Sequence, residues 1–179
     1  MREYERMENL SDLSASVLSA EKLSGNVVAL GVFYSPLITS QSQKSRLLCA
    51  LQPQQHGVVF SGETAAWIWG ALRNPPAKME YSVRAERRVS IRADAPHTKR
   101  ERQFRAGDVS QIDGFEVTSP LRTVFDLLQT PECATLEVRV ACRLLLLSRS
   151  NARQILLEQL DHTPRTPHAK RIRTSLESL

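Results

Sequence analysis

From residue 79 onward the apolar positions of the chain change period. Met79, Tyr81 and Val83 alternate with Glu80, Ser82 and Arg84, then Val89, Ile91 and Ala93 alternate with Arg88, Ser90 and Arg92. Phe104 and Ala106 continue the pattern against Gln103 and Arg105. A period of two sends successive side chains to opposite faces of a strand. The stretch therefore predicts three strands, with "ADAPHTKRER" as a loop joining two of them. Their outward face would gather Arg84, Arg88, Arg92 and Arg105, and Lys99, Arg100 and Arg102 would stand in the adjoining loop.

Elsewhere the apolar spacing is mostly helical. "SDLSASVLSAEKL" follows a candidate N-cap at Ser11, and "SGN" breaks it. "VVALGVFY", residues 27–34, is β-branched and aromatic enough for one strand that Pro36 ends. A helix is expected from about Gln41 to Leu51. "VVFSGETAAWIWGALRNPP" reads as a strand running into a helix that Ser61 is placed to cap, with Ala65, Ile68, Trp69 and Leu72 on one face. Trp67 falls nearly opposite them, where it either packs under a second layer, such as the N-terminal helices, or faces a partner.

"VSQIDGFEVTS" carries Asp113-Gly114, a tight-turn signal between short apolar segments. Ser119 as N-cap and Pro120 at the first helical position then open "SPLRTVFDLL". On that helix Arg122 and Asp126 stand one turn apart and can pair, Asp126 can also reach an arginine of the strands, and Thr123 can bond near the helix start. From Glu132 onward the spacing predicts about three helical segments, divided near "SRSN" and "HTPRTP". Helices gathered behind an antiparallel or mixed sheet make an α+β domain.

Charge sharpens this picture. The net charge is +5, and residues 78–105 hold nine Lys/Arg against four acids, so that one segment carries the whole surplus. A basic face of this kind favours phosphate backbones through counterion release, although folded proteins also carry such faces with only water as partner. The longest apolar stretch, residues 136–147, is too short to span a bilayer and is interrupted by Arg139 and Arg143. "MREYERMENL" has no apolar core of an export signal, so a cytoplasmic protein is expected.

Enzyme chemistry finds no footing in the residues. Cys49, Cys133 and Cys142 form no C-x-x-C pair, and His56, His97, His162 and His168 are scattered, so neither a disulfide framework nor a metal site is expected. "SGET" lacks the nucleophile elbow, and neither a phosphate-binding nor a dinucleotide loop is present. Asp94, Asp108 and Asp113 lie near strands, but no lysine follows them in a nuclease arrangement. The chain reads as a non-enzyme without cofactor.

Two stretches, "VVFSGETAAWIWG" and "IDGFEVTSPLRTVFDLL", resemble the AbiEi-type antitoxins of bacterial type IV toxin-antitoxin, or abortive-infection, systems and related regulators. The matching positions are Ser61, Ala65, Ala66 and Gly70, then Val117, Thr118, Pro120, Arg122, Thr123, Asp126 and Leu127. "GNVVALGVFY" is similar to the wing strand that ends the family's N-terminal winged helix.

The resemblance implies a DNA-binding transcriptional regulator of its own promoter, which also neutralises a nucleotidyltransferase-type toxin. It divides the chain into a short winged-helix-like segment, 1–36, and an α+β domain, 37–179, that ends in a helical cluster. About 25 residues precede Val27, room for two short helices where a winged helix uses about three, and Ala29 and Leu30 stand where the wing is usually basic. DNA contact is therefore expected on the sheet's arginines, and the Vsr-like endonuclease domain of some relatives is not expected after "TSLESL". The alternative is a protein-interaction module that binds a toxin, its basic sheet face merely solvated.

Overall fold

A computed structural model describes residues 14–25, 27–30, 33–36, 57–85, 97–130, 135–162 and 168–179. The fold is α+β. The chain runs through α1 (Ala15–Leu23), β1 (Val27–Leu30), β2 (Phe33–Pro36), β3 (Val59–Phe60), α2 (Gly62–Ile68), β4 (Met79–Arg84) and β5 (His97–Arg102). It continues through β6 (Val109–Ile112), β7 (Phe115–Thr118), α3 (Pro120–Leu128), α4 (Leu136–Leu146), α5 (Ala152–Asp161) and α6 (Ala169–Ser178).

The two N-terminal strands make a sheet separate from the main one. Ser14, and not Ser11, caps α1 by accepting from the Val17 amide; Ser11 and the expected helix over 41–51 lie outside the described residues. The single strand expected over 27–34 is instead an antiparallel hairpin, β1 on β2, in which Pro36 is the last paired residue. A proline fits there because an edge position asks nothing of its missing N–H.

Five strands make a mixed sheet in the order β5-β4-β3-β7-β6. The β3/β4 and β6/β7 pairs are antiparallel, and β3/β7 and β4/β5 are parallel. Asp113 and Gly114 close the β6–β7 hairpin with φ of 47° and 84°, the doubly left-handed turn whose twist suits such a hairpin.

Two expectations about the basic segment are corrected. "HTKRER" is a strand, not a loop: β5 pairs with β4 through six registered residues, Met79 against His97 to Arg84 against Arg102. Its backbone ladder supplies the order, and a charged sequence suits a strand that stands last among the described strands of the sheet. No strand forms over 103–106. There Asp108 turns the chain, its Oδ2 accepting from the Arg105 amide at 2.9 Å while its own amide donates to the Arg105 carbonyl at 3.1 Å. The strand expected over Val89–Ala93 lies outside the described residues.

One hydrophobic core joins the sheet to all five helices from α2 onward. Phe60 and Tyr81 meet edge to face at 5.5 Å, and Met79, Val83 and Val117 lie in the same cluster as Val124, Leu127, Leu145, Leu156, Ile172 and Leu176. Trp67 is fully buried in it, which rules out the partner-facing reading. The last helix is held at both ends. Arg171 donates to the Gln129 carbonyl at the end of α3, and Arg139 and Arg143 of α4 donate to the Ser178 and Leu179 carbonyls. Cations on those unpaired carbonyls also answer the negative helix end.

The β3–α2 corner departs from the sequence reading in its cap. Ser61 occupies the N-cap position without a side-chain cap bond; its Oγ pairs with Ser82 Oγ at 2.8 Å instead. The capping work passes to the neighbouring strand. The Glu80 carboxylate accepts from the backbone of Glu63 at the start of α2, and the Glu80 amide donates to Thr64 Oγ1 at 2.7 Å. Gly62 makes this possible: its φ is +56°, and a Cβ there would lie 1.5 Å from Glu80 Oε2. Gly62→Ala should therefore cost at least about 2 kcal/mol in urea denaturation, from left-handed strain plus the displaced carboxylate. A loss below about 0.5 kcal/mol would contradict this account of the corner.

Candidate nucleic-acid interface

The seven cations singled out by the sequence do not form one face. Arg88 and Arg92 lie outside the described residues. Register places Arg84 opposite Arg102 and Tyr81 opposite Lys99, so Arg84, Arg100 and Arg102 share one side of the sheet while Lys99 points to the other. Lys99, Arg100 and Arg105 are exposed. Arg84 and Arg102 are not available in the same way.

Arg84 reaches past the short strand β3 to Glu116 on β7, Nη2 to Oε1 at 2.7 Å. Arg102 turns inward onto α3, where its Nη1 lies 2.9 Å from Asp126 Oδ1. Arg102 is thus removed from the outward cations, and the cause is a carboxylate 24 positions further along the chain that only the fold brings under it.

Asp126 takes a second arginine on the same oxygen. Arg122 Nε donates to Oδ1 at 3.0 Å, the pairing its i, i+4 spacing predicts, and Arg122 Nη1 meets Asp108 Oδ2 at 2.8 Å. Arg122 thereby ties α3 to the Asp108 turn. Thr123, fully buried, shares a 2.8 Å hydroxyl contact with Thr118, whose carbonyl also accepts from Trp69 Nε1 at 2.8 Å. Phe104 lies between two guanidinium groups, Arg84 and Arg122, each 5.5 Å from its ring centre. The attraction of a cation for a ring face adds a contact between this turn and the network.

Burial sets the electrostatics. Asp126 is 2% exposed, and its Oδ2 has no hydrogen-bond partner among the described residues. Desolvation pushes its carboxyl above the ordinary value against the pull of Arg122 and Arg102. Burial likewise lowers Arg102, against the pull of Asp126. Glu80 is raised by its own burial, opposed by Arg100 and reinforced by Glu63.

The Arg122, Thr123 and Asp126 triplet is therefore an internal tie between helix and sheet. The surface left for a polyanion is the β5 edge, with Lys99 and Arg100 on opposite sides of one strand and Arg105 in the turn that follows. Sequence spacing puts Arg84, Arg88, Arg92 and Arg105 on an outward sheet face and Lys99, Arg100 and Arg102 in an adjoining loop. Separating them requires β5 to be read as a strand, which sends Lys99 to the opposite side from Arg100 and Arg102. It also requires Asp126 to be placed beneath Arg102, which draws that arginine inward while Arg100 on the same side stays exposed. Comparison with models of known protein families and with curated proteins finds no match for this chain.

A raised carboxyl has a defined effect on stability. The folded chain keeps the Glu80 proton to higher pH than the unfolded chain does, so stability falls as pH rises from the ordinary carboxylate value through the raised one. Glu80→Gln should flatten that fall, since the amide oxygen still accepts from Glu63 but cannot ionise. Thermal unfolding followed from pH 4 upward checks it, at pH values chosen about the ordinary glutamate range. A slope unchanged in the variant would contradict the assignment.

Proposed function

We propose that the chain is an antitoxin-like transcriptional regulator of a type IV toxin-antitoxin system, without catalytic activity of its own. It contacts DNA of its own promoter through the basic edge of the sheet and neutralises a nucleotidyltransferase-type toxin in the cytoplasm. The observation that carries the DNA half is the exposure of Lys99, Arg100 and Arg105 along one strand and its following turn. Cations spaced along an edge can follow a phosphate backbone and release its counterions, and no base-reading element is needed for that. The toxin half rests on the resemblance of "VTSPLRTVFDLL" to the antitoxin family.

A helix followed by a two-stranded hairpin, α1 with β1 and β2, supports a winged-helix ancestry for the N-terminal segment. No described helix is long and apolar enough to cross a membrane. The alternative reading, a protein-interaction module that leaves DNA alone, draws on the internal pairing of Arg84 and Arg102, which takes two cations from the basic set.

Fluorescence anisotropy with the chain's own promoter DNA separates the two readings. The wild-type chain should bind with a steep salt dependence, and Lys99→Gln with Arg100→Gln should lower the slope by about one per residue. Absence of binding at low salt, or a slope that the double variant leaves unchanged, would remove the DNA half. Rescue of growth on co-expression with a nucleotidyltransferase from the adjacent reading frame tests the other half, and failure to rescue would remove it.

A further inference from the structure

Helix α4 is apolar on two sides. Val138, Ala141, Cys142 and Leu145 face the core and are buried. Leu136, Val140, Leu144 and Leu147 stand on the other side, 77%, 43%, 48% and 80% exposed. At 100° per residue these four fall within an arc of about 80°, and they run along roughly 16 Å of helix and its cap. A surface helix serving only its own fold would carry polar residues there. Scattered exposed apolar residues need no explanation, but four in one stripe mark a contact surface.

The stripe runs into a cleft. At the Leu147 end, the turn between α4 and α5 opens a depression of about 660 Å³ whose apolar wall is Leu146, Leu147, Ala152 and Leu157. Arg149 and Arg153 form part of the same lining. Both are exposed, as is Arg143 on the flank of the stripe, and the exposed acid of the helix is Glu137 at its far end. Among the described residues the rim thus holds three cations against one acid, with Arg143 also donating through Nε to the Leu179 carbonyl.

We propose that this surface docks an amphipathic helix of another protein, one whose apolar face is bordered by Asp and Glu. The stripe supplies the seat for the apolar face, the cleft takes one large side chain at its end, and Arg143, Arg149 and Arg153 answer the acidic border. Complementary charge also selects the partner, since a basic helix with the same apolar face is repelled. A second copy of this chain fits poorly, because it brings a second set of the same arginines. The inference goes beyond the antitoxin reading and does not need it: the chemistry of the surface names the partner helix, whatever protein carries it.

Binding of fluorescein-labelled synthetic peptides to the full chain tests it. One peptide of roughly 18 residues carries leucines at helical spacing with glutamates on the other face, and its control replaces every glutamate with lysine. The acidic peptide should bind saturably and at least about ten-fold more tightly than the basic one. Val140→Asp with Leu144→Asp, both at exposed positions and checked for folding by circular dichroism, should weaken it by a further factor of about ten or more. Arg149→Glu with Arg153→Glu should reverse the preference. No saturable binding, equal affinity for the two peptides, or an affinity that Val140→Asp with Leu144→Asp leaves unchanged would each overturn the proposal. So would light scattering that shows a dimer which the same double variant dissociates.

Discussion

Asp126 Oδ1 meets two arginines from different parts of the fold, accepting a hydrogen bond from Arg122 and forming an ion pair with Arg102. Arg102 comes from the edge strand β5, and Arg122 comes from one turn earlier on α3 itself. Through Arg122 the same oxygen is linked to Asp108, whose turn ends the edge strand's path and leads into β6. Thus the outermost described strand on one side of the sheet, the first C-terminal helix and the turn between β5 and β6 share one buried charge cluster. Buried charges of this kind give little net stability against apolar replacements, but removing one member alone leaves another uncompensated. Their effect is to fix which strand register and which helix rotation go together.

That constraint also divides the cations by task. A guanidinium that satisfies Asp126 is desolvated and held, so Arg102 contributes to the interior while its neighbour Arg100 stays in water. Arg84 is bound to Glu116 and rests on Phe104. What the segment offers to a polyanion is consequently narrower than its composition implies: a strand edge and a turn instead of a continuous positive face. The outer stripe of α4 lies on a different element and presents apolar surface, so nucleic acid and protein would be met by separate parts of one domain.

Much of the fold was legible in the residues because the signals were local. Asp113-Gly114 makes the β6–β7 turn, Ser119 and Pro120 start α3, and the two breaks after α4 and α5 fall where "SRSN" and "HTPRTP" stand. The Arg122 to Asp126 pair was readable from its spacing, since both ends lie on one helix. The illegible parts depend on partners distant in sequence. β5 has hardly an apolar residue and is a strand because β4 pairs with it; that Asp126 can reach a strand arginine is readable, but that the arginine is Arg102 is not, because its segment reads as a loop; Ser61 gives up its capping bond because Ser82 and Glu80 arrive from β4. The alternation at Phe104 and Ala106 misled because Asp108 uses local hydrogen bonds to turn the chain, and a side-chain carboxylate can outcompete a ladder at a sheet margin.

The central claim is that Arg102 belongs to the interior tie and not to the outer basic surface. A double-mutant cycle on Arg102→Met and Asp126→Leu, read by urea denaturation at neutral pH, tests it most directly. The account predicts that each single change is strongly destabilising and that the pair together costs much less than their sum, with a coupling of about 1–3 kcal/mol. Additivity within about 0.3 kcal/mol would contradict it, and would return Arg102 to the solvent-facing set.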